Sequence, residues 1–515
     1  MKHLATAGFL LGLCAAVYGA AGVPLQPGAA APEIPRTWDD VEIARHEVPN
    51  ADPAASPKHV SSDYYYRIPV RPIYKGYPVY AYGHEPSGYL EWLKQQEPVI
   101  VWDEKGRAPT LQTDADWIRA GEIVFDAPVG TRANAAIPEV RSESWLAQTR
   151  APVAADGTLP WFQYVVRRKG TVELQGGSCA FCHSRVMRDG RVLKGAQGNL
   201  PVQRHVAFGW RAGSAVAADK DQYQAQIRLF LKRLHAAPHL RPDPEDRVDV
   251  MSIEELAALF ESYPPSVAPR HRGNSFIAIQ VPDLIGVKER RYLDRTGLEI
   301  HRSIGDMMRY AAMNQGADSL ASYAGFVPAG PPRFKEAPNP EQFLRYSDEQ
   351  LYALARYIYS LQPPANPNRF DALAAQGERV FERERCASCH TPPLYTNNKL
   401  TPAIGFTVPN DHRQKFDVMS VSVGTDPELT MRTRRGTGYY KVPSLKGVWY
   451  RSMFGHSGWC ATLEDWFDAH RVRDDYVPTG WKPYGSTSYA VKGHPFGLNL
   501  KEDDRRALIA FLKTL

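Results

Sequence analysis

The last fifteen residues of the chain repeat apolar and polar positions with the period of an α-helix. The apolar positions follow the spacing i, i+3, i+4, i+7 and are Leu508, Phe511, Leu512 and Leu515. Acidic residues stand in the first turn, where the helix dipole favours negative charge. The pattern predicts an amphipathic helix over 501–515 that packs one face against a core.

A second segment, 347–361, aligns with this terminal segment without a gap. Its matching apolar positions are Leu354, Tyr357, Ile358 and Leu361. Ser347 and Gln350 have the spacing of a capping box, in which each side chain binds the backbone N–H of the other residue. The segment therefore predicts a second helix of the same kind.

A proline-rich stretch, "QPPANPNRF", follows this helix and precedes a new helical pattern. A closing helix, a linker and an opening helix in succession predict a domain boundary near 363–368. We therefore expect a first domain over 23–362 and a second over 363–515. Further helices are predicted in the first domain at 221–236 and 252–262, and its Tyr- and Pro-rich segment predicts short strands and irregular structure.

Residues 1–22 have the pattern of a secretory signal peptide. Lys2 precedes an apolar run over 4–17, and small residues over 19–22 favour cleavage near Ala21. A membrane anchor is the alternative, but the run is shorter than the roughly 20 residues that a span requires. No later stretch is apolar enough to span a membrane, so we expect an exported protein, periplasmic or secreted.

Charge and cysteine content narrow the function classes. The net charge of +6 is small for 515 residues, and no basic run or basic patch with interleaved aromatic residues is present, which argues against a nucleic-acid partner. Of the six cysteines, Cys14 leaves with the signal peptide and four belong to two short motifs. Cys460 then has no partner for a disulfide and is expected to be a small buried residue.

The two motifs are Cys-x-x-Cys-His sequences, "CAFCH" at 179–183 and "CASCH" at 386–390. A zinc site would need a second Cys or His pair within a few tens of residues, and a thiol oxidoreductase does not require the histidine. Cys-x-x-Cys-His is typical of covalent haem c attachment, in which two thiols bind the haem and the histidine binds the iron. The predicted attachment residues are Cys179, Cys182 and His183 for one haem and Cys386, Cys389 and His390 for the other.

Together, these patterns give an expected fold class. The fold should be mainly α, with two c-type cytochrome domains, and the first domain should be enlarged by long loops and short strands. Two haem c groups are the expected cofactors.

The segment 439–468, "YYKVPSLKGVWYRSMFGHSGWCATLEDWFD", resembles the dihaem cytochrome c peroxidase/MauG superfamily. The matching positions are Pro443, Ser444, Leu445, Gly447, Val448, His456, Gly458 and Leu463, while Lys446 replaces the usual arginine. "RPIYKGYPVYAYGHEPSGYLEWLKQQEP", "ADWIRAGEIVFDAPV" and "VKGHPFGLNL" resemble the rubber-oxygenase-like subgroup of that superfamily. The resemblance is close in the second domain and looser in the first.

The resemblance implies a division of labour between the two haems. The N-terminal haem would react with hydrogen peroxide or dioxygen, and a six-coordinate C-terminal haem would deliver electrons. A small periplasmic cytochrome c or cupredoxin is the implied electron donor. Calcium, which some relatives bind between the domains, is a further candidate cofactor that no residue here localises.

The same resemblance makes His494 the first candidate for the sixth ligand of the C-terminal haem. His470 is the alternative, followed by Met431 and Met453. His456 is expected beside the haem or at the domain interface rather than on the iron.

The sixth position of the N-terminal haem is left with two interpretations. The segment 199–211, "NLPVQRHVAFGWR", resembles the peroxidase loop that carries a displaceable histidine. Phe208 occupies the ligand-like place, and His205 stands three residues earlier. Either His205 binds the iron at rest, or the haem is five-coordinate with an apolar wall above it.

A third candidate catalytic residue, beside His205 and His456, is Tyr292. The segment 287–310 resembles the family segment with an inter-haem tryptophan, and Tyr292 is the nearest aromatic residue there. Tyr292 is either an electron relay or a core tyrosine.

The leading hypothesis is an exported dihaem oxidoreductase that reduces hydrogen peroxide. The first alternative is a dioxygenase that cleaves C=C bonds of an apolar, polyisoprene-like substrate. The second alternative is an electron carrier without catalytic activity, in which both irons are six-coordinate.

Overall fold

The computed structural model describes residues 32–46, 51–52, 56–129, 138–270, 273–328 and 344–515. The predicted signal peptide, with Cys14, lies outside the described residues. Within them, no helix combines the length and the apolar character needed to cross a membrane.

Helical residues make up 38% of the structure and strand residues 14%, which agrees in part with the mainly α expectation. The helices are α1 (Asp40–His46), α2 (Ser62–Arg67), α3 (Tyr89–Gln95), α4 (Asp114–Asp126), α5 (Pro138–Arg141), α6 (Glu143–Thr149), α7 (Cys179–His183), α8 (Val202–Val216), α9 (Lys220–His235), α10 (Ile253–Glu261), α11 (Ile304–Asn314), α12 (Asp348–Ser360), α13 (Ala372–Arg383), α14 (Asn410–Lys415), α15 (Glu428–Met431), α16 (Leu463–Trp466) and α17 (Glu502–Lys513).

The strands are short and form small antiparallel sheets. They are β1 (Pro57–Lys58), β2 (Ile73–Tyr74), β3 (Gly76–Tyr80), β4 (Ile100–Trp102), β5 (Thr158–Arg168), β6 (Thr171–Gln175), β7 (Ser184–Val186), β8 (Val192–Lys194), β9 (Val267–Arg270), β10 (Asn274–Gln280), β11 (Tyr292–Leu293), β12 (Glu299–Ile300), β13 (Ser322–Tyr323), β14 (Leu400–Pro402) and β15 (Tyr439–Lys441).

The three-stranded sheet β3-β5-β6 stands next to the first Cys-x-x-Cys-His motif. Its register pairs Tyr77 with Tyr164 and Tyr164 with Leu174. These side chains enter a buried cluster with Trp145 and Trp161. This cluster packs behind α7 in the N-terminal half.

The predicted helices are confirmed by the structure. α9 and α10 match the two helices expected in the first domain, and α10 carries the Ser252–Glu255 capping box. α12 has the predicted box of Ser347 and Gln350, and α17 closes the chain. The segment between α12 and α13 is not helical, as the proline-rich linker predicts, while the division into two domains stays a prediction.

Two helix pairs repeat the same packing in the two halves. α4 crosses α12, and α13 crosses α17, each through a glycine. A Cβ at Gly121 would overlap the carbonyl oxygen of Ala353, and a Cβ at Gly377 would overlap that of Ala507. Since any side chain would force the helices apart, glycine sets the closest approach in both pairs.

Candidate functional site

The second Cys-x-x-Cys-His motif follows directly on α13 and holds its histidine by two backbone carbonyls. His390 Nδ1 lies 3.1 Å from the oxygen of Tyr395 and 3.2 Å from that of Pro443. A carbonyl oxygen can only accept, so Nδ1 donates and carries the ring proton. The lone pair of Nε2 is thereby left for a metal ion, as in most metal-binding histidines.

His390 opens into a cavity of about 250 Å³, which we call the large cavity. Both motif cysteines, Cys386 and Cys389, line it together with His494. Most of the remaining wall is apolar and includes Phe381, Leu445, Val448, Leu463, Trp466, Phe467, Leu508 and Leu512. A planar apolar cofactor with two thiol attachment points fits such a lining.

His494 faces His390 across this cavity. The centres of the two imidazole rings are 6.3 Å apart, with 61° between the ring planes. An imidazole nitrogen binds a transition metal at about 2 Å and the ring centre lies about 1 Å further, so two rings on opposite sides of one ion have centres about 6 Å apart. His494 Nδ1 is buried without a hydrogen-bond partner among the described residues. The pair fits a six-coordinate haem iron.

A buried arginine holds the His494 loop in place. Arg471 donates to the carbonyl oxygens of Trp466 at 2.8 Å, Val491 at 2.5 Å and His494 at 2.7 Å. His494 itself has φ 43°, in the left-handed region that a non-glycine residue seldom occupies. Arg471 therefore acts as a positioning residue for the ring of His494.

The other sixth-ligand candidates of the C-terminal half lie elsewhere. His470 is 46% exposed and its Nε2 lies 3.3 Å from Asp475 at the surface. Met431 ends α15, and Met453 packs against the cluster that contains Trp459. None of the three lines the large cavity, as far as the described residues define it.

The first motif forms the short helix α7 and has the same arrangement on its histidine. His183 Nδ1 donates to the carbonyl oxygen of Pro282 at 3.1 Å, which leaves Nε2 as the acceptor. Cys179 Sγ accepts a hydrogen bond from Gln315 Nε2 at 3.0 Å. A Cβ at Gly198 would overlap the carbonyl oxygen of Cys182, so the chain passes directly against the motif. This half thus offers the same two thiols and imidazole Nε2 as the second motif.

The two prolines that accept from the motif histidines belong to a repeated segment. "VPDLIGV" at 281–287 matches "VPSLKGV" at 442–448 at five of seven positions. In both copies the glycine has positive φ, 72° at Gly286 and 76° at Gly447, and a short 3₁₀ helix follows. Pro282 was not predicted from the sequence, although this internal repeat indicates it.

Comparison with known proteins gives one relative by sequence. The chain is 29% identical to the methylamine utilization protein MauG of Methylorubrum extorquens over 213 residues. The match covers 39% of this chain and 54% of MauG, so the chain spans about half of that relative's length. No protein-family model matches.

The chain has a sequence relative in MauG. Among solved structures, a hydrazine synthase of Kuenenia stuttgartiensis covers 56% of this chain and 87% of its own, with 15% identity and a TM-score of 0.30. A MauG-like protein associated with microbial copper homeostasis covers 37% and 60%, with 18% identity and a TM-score of 0.21. Both TM-scores are too low to establish a common fold.

The segment compared above with a peroxidase loop is helical in this chain. It forms most of α8, because Gln203, Ala207 and Trp210 repeat at helical spacing on its buried face. His205 lies on this helix, and its ring contacts Phe162 and Phe181.

His205 accepts a hydrogen bond at Nδ1, whereas His183 and His390 each donate from that atom. Its Nδ1 lies 3.1 Å from Trp145 Nε1, and an indole N–H can only donate. His205 Nδ1 therefore accepts, and in the neutral ring the proton is on Nε2. Burial lowers the pKa of His205 to about 4, which keeps the ring neutral near pH 7. With Nε2 protonated, His205 presents no lone pair to a metal ion.

His456 lines the large cavity but is engaged by its neighbours. Its Nε2 lies 3.3 Å from a carboxylate oxygen of Asp426, and its ring stacks on Tyr440 with centres 4.4 Å apart. Trp459 meets the same ring edge-on at 4.3 Å. His456 thus lines the large cavity within an aromatic cluster, and its place beside a haem stays a prediction.

Tyr292 is buried between the two halves of the chain. Its hydroxyl lies 3.2 Å from a carboxylate oxygen of Asp417 and accepts from the Asp417 N–H at 2.9 Å. Burial raises the pKa of Tyr292 to about 12. Its role as an electron relay stays a prediction.

The remaining expectations concern cysteine and calcium. None of the five cysteines in the described part of the chain forms a disulfide there, and Cys460 is fully buried, as predicted. Among the described residues, no group of three or more His, Cys, Asp or Glu side chains could hold a metal ion, and the calcium expectation stays untested.

Proposed function

We propose that the chain is an exported dihaem c-type oxidoreductase that reduces hydrogen peroxide at its N-terminal haem. Electrons would pass through a six-coordinate C-terminal haem. The observation that carries the proposal is the pair His390 and His494, whose ring centres lie 6.3 Å apart across the large cavity. Such a pair would supply two imidazole nitrogens to one iron, which suits electron transfer rather than substrate binding.

The residues of the chain divide this work between the two halves. Bound haem would supply one-electron redox chemistry of iron in each half. Cys386 and Cys389 would attach the C-terminal haem, while Arg471 holds the loop of His494 against it. Cys179 and Cys182 would attach the N-terminal haem, with His183 on the iron.

The open position on the N-terminal iron is supported by the hydrogen bond of His205. Because its Nδ1 accepts from Trp145, the Nε2 proton blocks ligation in this arrangement. We therefore favour an open N-terminal site, in which His205 keeps its bond to Trp145.

Two further observations support the finer parts of the proposal. The sequence similarity to MauG supports a dihaem oxidoreductase. The repeated helix pairs and V-P-x-L-x-G-V segments support two units of related construction, consistent with domains over 23–362 and 363–515. A periplasmic location and a small cytochrome c or cupredoxin as donor belong to the same proposal.

Low-temperature EPR of the oxidised holoprotein, followed by peroxide turnover with a reduced small cytochrome c, tests the proposal. We expect one high-spin and one low-spin ferric signal, and peroxide consumption coupled to donor oxidation. Two low-spin signals without turnover would establish the electron carrier instead. Dioxygen uptake with a polyisoprene substrate, without peroxide turnover, would establish the dioxygenase and the rubber-oxygenase-like subgroup.

A further inference from the structure

A second, small cavity of about 20 Å³ connects the surroundings of the two motif histidines. Pro282 and Pro443 both line it, and their carbonyl oxygens accept the hydrogen bonds of His183 and His390. It also adjoins the large cavity, because the same residues border both: Arg295, Lys441, Val442, Pro443, Ser444 and Arg451. A space of this size admits no substrate beyond a water or the end of a larger group.

The charges around the small cavity are unbalanced. Four cationic side chains line it, together with a single carboxylate: Arg290, Arg295, Lys441 and Arg451 with Asp283. Asp283 already accepts from the hydroxyl of Tyr450 at 2.7 Å and lies 3.5 Å from Arg451 Nε. The nearby Asp294 is paired with Arg270 at 2.7 Å. These four side chains are only partly exposed, and charges withdrawn from water are normally paired, so this cluster calls for an additional anion.

Two of the cationic side chains that line both cavities make only long hydrogen bonds to the protein. Lys441 Nζ lies 3.3 Å from the oxygen of Tyr292, and Arg295 Nε lies 3.4 Å from that of Gln280. Both distances are long for hydrogen bonds to carbonyl oxygens. Burial and the neighbouring arginines lower the pKa of Lys441, and burial with Arg451 and Arg290 lowers the pKa of Arg295 to about 9.

Arg290 has a different task from the other three cations. It donates to the carbonyl oxygen of Asp283 and, at 2.7 Å, to that of Ile285. These bonds hold the segment that carries Pro282, the acceptor of His183. Arg290 does not line the large cavity, so within the described residues the anion-facing set is Arg295, Lys441 and Arg451.

We propose that Arg295, Lys441 and Arg451 form an anion site for the carboxylates of the haem held by Cys386, Cys389 and His390. The proposal rests on haem attachment as set out under Proposed function. Haem carries two carboxylates at one edge, and the shared wall of the two cavities offers three cations where the large cavity meets the small one. Positive charge at this wall stabilises the reduced haem and raises its reduction potential. The same cluster repels a divalent cation from the small cavity.

The test is a spectroelectrochemical titration of the holoprotein with both haems attached. In Lys441→Gln and Arg295→Gln, we expect reduction of the C-terminal haem to become less favourable by about tenfold, or about 59 mV for one electron. Lys441→Arg should retain the wild-type potential, because it keeps the charge. Lys399→Gln is the matched control, since Lys399 is exposed and its carbonyl oxygen accepts from the N–H of Val442 beside Lys441.

Three outcomes would overturn the proposal. Potentials of Lys441→Gln and Arg295→Gln that match Lys399→Gln would remove the anion site. A potential that depends on added phosphate in the wild type would assign the site to a free inorganic anion. A potential that shifts on treatment with EGTA would place calcium there. Each readout is independent of peroxide turnover, so failure of the proposed activity would leave the test intact.

Discussion

The two halves of the chain share the structure around the motif histidine and differ on the opposite side. In both halves a Cys-x-x-Cys-His motif stands beside a glycine-mediated helix crossing, and a proline carbonyl accepts from the histidine. Opposite His390, a loop held by Arg471 presents His494. In the N-terminal half, His205 is turned to Trp145 instead. The proposed cofactor attachment would thus use repeated parts, while the surroundings of His494 and His205 are particular to each half.

This difference has a simple physical basis in the histidine tautomers. A carbonyl acceptor on Nδ1 leaves Nε2 free for a metal ion, as at His183 and His390. An indole donor on Nδ1 leaves the proton on Nε2, as at His205. His183 and His390 therefore differ from His205 in their capacity to bind a metal ion, because Nδ1 donates a hydrogen bond in the first two and accepts one in the third.

The largest difference between the two halves is expected when the two attachment cysteines of one half are replaced at a time. Cys179→Ser/Cys182→Ser and Cys386→Ser/Cys389→Ser should each lose one covalent haem, because serine forms no thioether. Intact-mass spectrometry of the denatured protein should show a loss of one haem mass in each variant. Peroxide turnover should be abolished by the first pair even where the C-terminal haem remains. Cys460→Ser is the control and should keep both haems; a Cys386→Ser/Cys389→Ser protein with two haems would refute the assignment.

Removing the imidazole of His494 should leave the C-terminal iron with an open position, like the one proposed for the N-terminal iron. In His494→Gly, the C-terminal iron loses a ligand, and we expect its low-spin EPR signal to become high-spin. Added imidazole should restore the low-spin signal by filling the vacated position. His470→Gly, at an exposed histidine, should leave the spectrum unchanged. A low-spin signal that persists in His494→Gly would remove His494 as the ligand.

The roles of the motif residues and of His494 toward a haem stay predictions, although the structure brings those of the second half to one cavity. These residues could be proposed because each has a local sequence signal. The helices with capping boxes, such as α10 and α12, could be predicted for the same reason. Pro282 had a signal too, in the repeat of Val281–Val287, which went unused.

Other features depend on residues distant in sequence and had no such signal. Arg471 stands in an ordinary polar stretch, and its importance arises because the carbonyls of Trp466, Val491 and His494 converge on it. The tautomer of His205 depends on Trp145, sixty residues earlier in the chain. The cations around the small cavity likewise come from three separate segments.

A smaller effect should follow from loosening the His494 loop without touching the ligand. Arg471→Met removes a fully buried guanidinium and leaves several carbonyl oxygens without their donor, which should cost about 3 kcal/mol of unfolding free energy. Urea denaturation measures this loss, and a fraction of high-spin C-terminal haem should accompany it.

The matched control for this variant is Arg473→Met. Arg473 is 65% exposed and paired with Asp475 at the surface, so its replacement should change stability by less than about 0.5 kcal/mol. Equal effects of the two substitutions would show that Arg471 has no special part in holding the loop.

The smallest expected effect concerns the pH dependence of the N-terminal half. Burial lowers the pKa of His205 to about 4, below its ordinary value of 6.5, so the neutral ring stabilises the fold. This contribution is complete above pH 6.5 and is lost as the pH falls towards 4, by about 1.4 kcal/mol per pH unit within that window. His205→Gln should lack this part of the pH dependence in urea denaturation of the holoprotein. If wild type and variant instead run parallel between pH 6.5 and 4, while the variant alters the EPR spectrum of the N-terminal haem, His205 binds iron and the asymmetry between the halves disappears.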